Sequence, residues 1–105
     1  MLNSLVTKRY ATALFELSNE LDTVPKLMND FNCFVDVISS EFSIESFLMT
    51  PIVSFLEKKR CFDLIAEKGE FCDLLCNFIL MLIEKKRGYL IKSIFKYFYQ
   101  IIYIS

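Results

Sequence analysis

Histidine and tryptophan are absent from this chain of 105 residues, and glycine and proline occur only twice each. Without histidine there is no imidazole to act as a general base, relay a proton or complete a metal site. Two glycines, Gly69 and Gly88, cannot build a phosphate-cradling loop. With Pro25 and Pro51 as the only prolines, the chain is too poor in turn residues for an all-β fold. The four cysteines, Cys33, Cys61, Cys72 and Cys76, contain no C-x-x-C pair. Cys72 and Cys76 stand one helical turn apart, but nothing completes a ligand set around them. They read as free, unmetallated thiols, buried or half-buried, in a reducing compartment. Neither sign of charge dominates: 12 basic and 13 acidic residues leave a formal charge of −1. That balance argues against a protein whose binding rests on phosphate electrostatics. No charged and then apolar leader follows Met1. The longest apolar run, Phe78 to Ile83, falls far short of the roughly 20 residues that a spanning helix needs. The chain reads as soluble, with sticky surfaces.

What it does have is core material. Hydrophobic residues make up 54% of the chain and 11 of them are phenylalanine, in a length that suits one domain. Apolar residues recur with helical period throughout. A first helix is expected over Ser4 to Leu21. Asp22 and Thr23 then offer caps, and Pro25 suits the first turn of a second helix over Val24 to Ser39. In that helix Val24, Leu27, Met28, Phe31, Phe34, Val35 and Ile38 share one face, while Asn29, Asn32 and Asp36 face away. A short third helix, Ile44 to Met49, stops at Thr50-Pro51. Ser54 and Glu57 form a capping box at the head of a fourth. It runs to Glu67 or Lys68, with Phe55, Phe62, Ile65 and Ala66 inward, and Gly69 is expected to end it as a left-handed cap. A fifth, Phe71 to Lys85, is apolar over most of its circumference, with only Asp73, Asn77 and Glu84 wet. Lys85-Lys86-Arg87 favours its C-terminal dipole, and Gly88 marks the turn. A sixth runs from Tyr89 or Leu90 to near the C-terminus. Leu90, Ile94, Phe98 and Ile101 face inward, Lys92, Lys96 and Gln100 face water, and Tyr89, Tyr99 and Tyr103 stand at the rim. The expected fold is all-α: a compact six-helix bundle of five longer helices and one short one.

Catalytic constellations are missing. Serines sit mostly at helix starts, where capping explains them, and carboxylates are scattered over wet faces. The run Lys58-Lys59-Arg60 could touch phosphates, but such a run is more often a solvated helix face, and this one lies beside Glu57 and Asp63. The chain reads as no enzyme and calls for no cofactor.

The first helix carries more apolar surface than one neighbour can cover. At about 100° per residue, Val6, Tyr10, Ala13, Leu14, Leu17 and Leu21 form one stripe, and Ala11 and Phe15 widen it. Only Lys8, Arg9, Thr12, Glu16 and Asn19 make a polar face. The fifth helix shows a similar excess. Such helices can pack within a domain and still offer a flank to a partner.

The run Arg9-Tyr10-Ala11-Thr12-Ala13-Leu14-Phe15-Glu16-Leu17 resembles the R-Y-A-x-A-L-F-x-L opening of the delta subunit of F-type ATP synthases, the oligomycin-sensitivity-conferring protein family. Thr50-Pro51-Ile52-Val53-Ser54 followed by Glu57-Lys58-Lys59 is similar to that family's N-P-x-[IV]-S-x-x-E-K-K entry to a fourth helix. Asn77-Phe78-Ile79 with Leu82 resembles its N-F-L-x-x-L fifth helix, and Glu84-Lys85-Lys86-Arg87 stands where E-N-G-R or E-N-K-R is usual. The motifs occur in order across essentially the whole chain. Gly88 replaces the usual leucine after the arginine, and Lys92 replaces a common proline.

The resemblance implies the N-terminal helical domain of the family over residues 1–105, with the family's C-terminal domain outside this sequence. It implies a non-catalytic stator connector in proton-driven ATP synthesis. That connector would grip the N-terminal helix of an alpha subunit in a groove between helices one and five, alongside other head and peripheral-stalk subunits. Its expected place is peripheral, on the cytoplasmic face of a bacterial inner membrane or the matrix side of the mitochondrial one, with no nucleic-acid partner. Tyr10, Ala13, Leu14 and Leu17 are expected to face Leu74, Asn77, Phe78 and Met81 across that groove. An unrelated helical adaptor, or a membrane-surface protein using the sixth helix, is the alternative.

Overall fold

The helical period becomes six α-helices in the computed structural model, which describes residues 2–104, with side chains described from residue 5. They are α1 (Leu2–Glu20), α2 (Val24–Ser40), α3 (Phe42–Met49), α4 (Phe55–Gly69), α5 (Asp73–Glu84) and α6 (Ile91–Tyr103), the last entered through one turn of 3-10 helix at Gly88–Leu90. No strand occurs among the described residues. The radius of gyration is 13.1 Å, which matches a tightly packed domain of this length. The all-α reading, with one short helix of 8 residues, is what forms.

Phenylalanines organise the core. Phe31 on α2 is fully buried and meets Phe78 of α5 and Phe95 and Phe98 of α6, with ring centroids 6.4, 5.1 and 6.2 Å away. A second group joins Phe34 of α2, Phe62 of α4 and Phe71, at 5.3 to 6.3 Å. Edge-to-face pairs of this kind add to simple area burial. Thus α2 is the central element: it packs against every other α-helix. The most extensive single contact is between α1 and α6.

Helix ends depart from expectation in instructive ways. At α4 half of the capping box is made: the Glu57 N–H donates to Ser54 Oγ at 3.3 Å, while the Glu57 carboxylate meets the Ser54 hydroxyl, at 3.5 Å, and not the Ser54 backbone N–H. At α2 no side chain caps. Thr23 instead turns its hydroxyl back to the Ser18 carbonyl at 3.4 Å, and Asp22 takes a left-handed backbone with φ 55°. Gly69 is not the left-handed cap of α4; Glu70 takes that conformation, at φ 52°. Gly69 is needed for space, because a Cβ there would stand 2.4 Å from Cε1 of buried Phe71. Gly88 likewise has no positive φ, and Lys86 holds the left-handed residue after α5 at φ 60°. Phe71, expected inside the fifth helix, lies before it as a buried plug.

Among the described residues, two charged side chains are buried. Asp30 on α2 is 1% exposed and Lys58 on α4 is 7% exposed. The basic run at residues 58–60 is therefore not one solvated face. Lys58 turns inward, Lys59 pairs with Asp63 at 2.7 Å, and Arg60 is exposed. Cys33 is exposed, while Cys61, Cys72 and Cys76 are half-buried and all four thiols are free.

Candidate partner-binding cleft

The inward face of α1 is set by Thr7, Ala11, Leu14 and Ser18, all buried. These positions recur every three or four residues, and three of the four are small. That lets α1 approach α6 closely, with Phe15 against Phe98 (6.4 Å) and Lys8 over the Tyr97 ring (5.5 Å). The stripe drawn from the sequence, on Tyr10 and Leu17, is rotated from this face towards α1's outer side. Its excess stays outside: Leu5, Ala13, Leu17 and Leu21 are exposed. Successive four-residue steps place Leu5, Ala13, Leu17 and Leu21 along one ridge, interrupted by Arg9.

Helix α5 has the complementary layout. Leu75, Ile79, Leu82 and Ile83 are buried, Leu74, Phe78 and Met81 are half-buried, and Asp73, Asn77 and Glu84 are exposed. The thin wet strip read from the sequence is therefore present. Helices α1 and α5 each pack on α2 more closely than on one another. What joins them is the edge of Tyr10 against Phe78, with centroids 6.1 Å apart, over buried Phe31. Arg87, from the turn after α5, donates through Nη1 to the Tyr10 hydroxyl and lies 5.8 Å over that ring. Val6, Arg9, Tyr10, Ala13 and Arg87 thereby line a shallow depression at the joint.

Of the eight residues expected along this groove, Ala13, Leu17 and Asn77 are open to solvent. Tyr10, Leu74, Phe78 and Met81 are half-buried, as residues lining a cleft would be. Leu14 is 1% exposed and belongs to the core under the cleft. Tyr10 and Phe78 are brought into contact; Ala13 and Leu17 stand apart on the α1 ridge. Arg87 was not singled out for this place, although its position in the Glu84-to-Arg87 run was the available signal. Chemically the cleft offers apolar side chains, the Asn77 amide, the Tyr10 phenol and the guanidiniums of Arg9 and Arg87. Among the described residues no cluster of potential ligands could hold a metal ion.

Comparison with known proteins points the same way. Residues 6–104 match the family model described as ATP synthase delta (OSCP) subunit. The ATP synthase subunit delta of Syntrophus aciditrophicus is 30% identical over 98 residues, covering 93% of this chain and 54% of that protein. The subunit delta of Clostridium acetobutylicum is 36% identical over 80 residues, 76% of this chain and 44% of its own length. That of Rickettsia bellii is 24% identical over 105 residues, 56% of its length. The chain thus spans about half the length of the curated relatives it matches. With the motifs, the six-helix fold and a family match from Val6 to Ile104 in agreement, the chain belongs to the ATP synthase delta (OSCP) subunit family.

Proposed function

We propose that this chain is a non-catalytic connector in the peripheral stalk of an F-type ATP synthase, and that its α1–α5 cleft takes the N-terminal helix of an alpha subunit. The observation that carries the reading is a pair of incompletely covered apolar faces, Ala13 and Leu17 on α1, continued by Leu21, and Leu74, Phe78 and Met81 on α5, whose helices meet through the Tyr10–Phe78 contact. An amphipathic helix laid in an apolar groove is a general recognition mode. Ala13 suits it because its small side chain lets a second backbone come close.

The work is mechanical. A domain clamped to the catalytic head and to other stalk subunits resists the torque of the rotor, so that proton-driven rotation is spent on ATP synthesis. The place this implies is peripheral to the membrane, on the cytoplasmic or matrix face. In keeping with that, no helix among the described residues is long and apolar enough to cross a bilayer.

Titration calorimetry with a peptide of the alpha-subunit N-terminus from the same organism tests the reading. Saturable binding that is lost on mutating the α1 ridge supports it. Binding that ignores Ala13 and Leu17, or no binding to the folded domain, removes it.

A further inference from the structure

A second cavity, of about 250 Å³, lies where α3, the start of α4 and the turn after α5 meet. It shares no lining residue with the depression beside Tyr10. Its apolar walls include Met49, Pro51, Ile83 and Tyr89, and its two charged groups are Lys58 and Lys86. No carboxylate is among the lining residues.

Lys58 is the unusual member. It is more than nine-tenths buried, yet among the described residues no carboxylate stands within ion-pair distance of its ammonium. Lys26, Lys59 and Lys92, all far more open, each have such a partner. Its aliphatic stem accounts for that burial: the Nζ atom is not among the wholly buried polar atoms that lack a partner, so the ammonium opens onto the cavity, which it shares with Lys86 and where no lining carboxylate pairs either charge. The neighbouring Glu57 does not fill the role; it is exposed and faces the Ser54 hydroxyl.

Lys86 is fixed opposite by the end of α5. Its N–H donates to the Ile83 carbonyl at 3.0 Å, and the next N–H, of Arg87, donates to Leu82 at 2.7 Å. Gly88 brings this turn against Met49: a Cβ there would stand 2.6 Å from the Met49 sulfur. Backbone geometry therefore holds the two lysines around one small space. The volume is at the low end for a ligand pocket, and the walls are mostly apolar. Both features favour a small anion with an apolar body over a hydrated inorganic one.

We infer that this cavity binds a small organic carboxylate, its anionic end between Lys58 and Lys86 and its apolar body against Met49, Ile83 and Tyr89. Amide NMR of the 105-residue chain tests this with three probes: benzoate, its neutral analogue benzamide, and inorganic phosphate. Benzoate is expected to shift the Met49, Lys58, Gly88 and Tyr89 amides saturably, with benzamide and phosphate each at least about tenfold weaker. Lys58→Met keeps the aliphatic stem and removes the charge; exposed Lys86→Gln does the same without touching the core. Each is expected to weaken benzoate about fivefold or more. Equal binding of benzoate and benzamide, binding of phosphate as tight as benzoate, or an unchanged benzoate affinity in Lys86→Gln would each overturn the assignment. So would the absence of any shift at these amides.

Discussion

Asp30 on α2 accepts the backbone N–H of Cys72 at the entrance to α5, at 2.8 Å and across 42 residues of sequence. Its other oxygen receives Lys26 at 3.1 Å, and Lys26 also donates to the Glu70 carbonyl at 2.8 Å. One carboxylate thus does across space what a capping residue does locally. It ties the α4–α5 turn to the central helix. Asp30→Ala is expected to lower stability by about 2–3 kcal/mol, as for a lost hydrogen bond to a buried charged group. Lys26→Ala, whose side chain is half exposed, is expected to cost no more than about 1 kcal/mol. Urea denaturation of both variants checks the order; a larger loss for Lys26→Ala would contradict it.

The two glycines separate by what surrounds them. At Gly69 the obstacle is the ring of buried Phe71, and at Gly88 it is the flexible end of Met49. Gly69→Ala is therefore expected to destabilise by about 1–2 kcal/mol, overpacking outweighing the gain in helix propensity. Gly88→Ala is expected to cost less than about 1 kcal/mol, because a methionine chain can move aside. Thermal melts of the two single variants give the comparison.

Adjacent residues on α1 are expected to respond in opposite ways. Ala13 is exposed and Leu14 is buried. Ala13→Asp is expected to fold, losing about 0.7 kcal/mol or less from helix propensity. It should weaken an alpha-subunit N-terminal peptide by about 100-fold, since an unpaired carboxylate would be desolvated in the complex. Leu14→Asp is expected to unfold the domain. Circular dichroism and calorimetry on the pair distinguish a binding surface from core; unfolding of Ala13→Asp would place Ala13 in the core.

Burial raises the thiols of Cys61, Cys72 and Cys76 above their ordinary value, and at Cys72 the Asp30 carboxylate adds to the rise. A thiol that holds its proton more tightly when folded contributes stability that is fully present below the unfolded thiol value, about 8.5. That contribution is lost as pH rises through the folded value. The urea midpoint is therefore expected to fall more steeply from pH 8 to pH 10 in the wild type than in a Cys61→Ala, Cys72→Ala, Cys76→Ala variant. Iodoacetamide at pH 8 should modify exposed Cys33 first.

Helical period is a local property, which is why α2 and α6 were legible. Leu27, Phe31, Phe34 and Ile38 are buried as the wheel of α2 places them, and Asn29, Asn32 and Asp36 are exposed. The inner face of α1 was misplaced for a physical reason. Its buried face uses Thr7, Ala11 and Ser18, and small or hydroxyl residues carry little apolar signal. Asp30 and Lys58 read as surface residues because their burial depends on elements far along the chain. The same holds in the cleft. The exposed apolar flank of α1 followed from its excess of apolar residues. The seat of Arg87 on Tyr10, 77 residues away, lies outside any local pattern.

The pairing of α1 with α6 has a consequence for how the domain comes into being. Within this domain α1 finds its main cover in α6, the α-helix farthest from it along the sequence. Until α6 leaves the ribosome, Ala11, Leu14 and Phe15 lack the surface that hides them, while α2 to α5 already have neighbours. Closing so long a loop is slow relative to local helix formation. Until α6 is made, the nascent domain therefore carries α1 without its main cover, and the apolar richness that we propose suits α1 to a partner makes it a segment for a chaperone to shield.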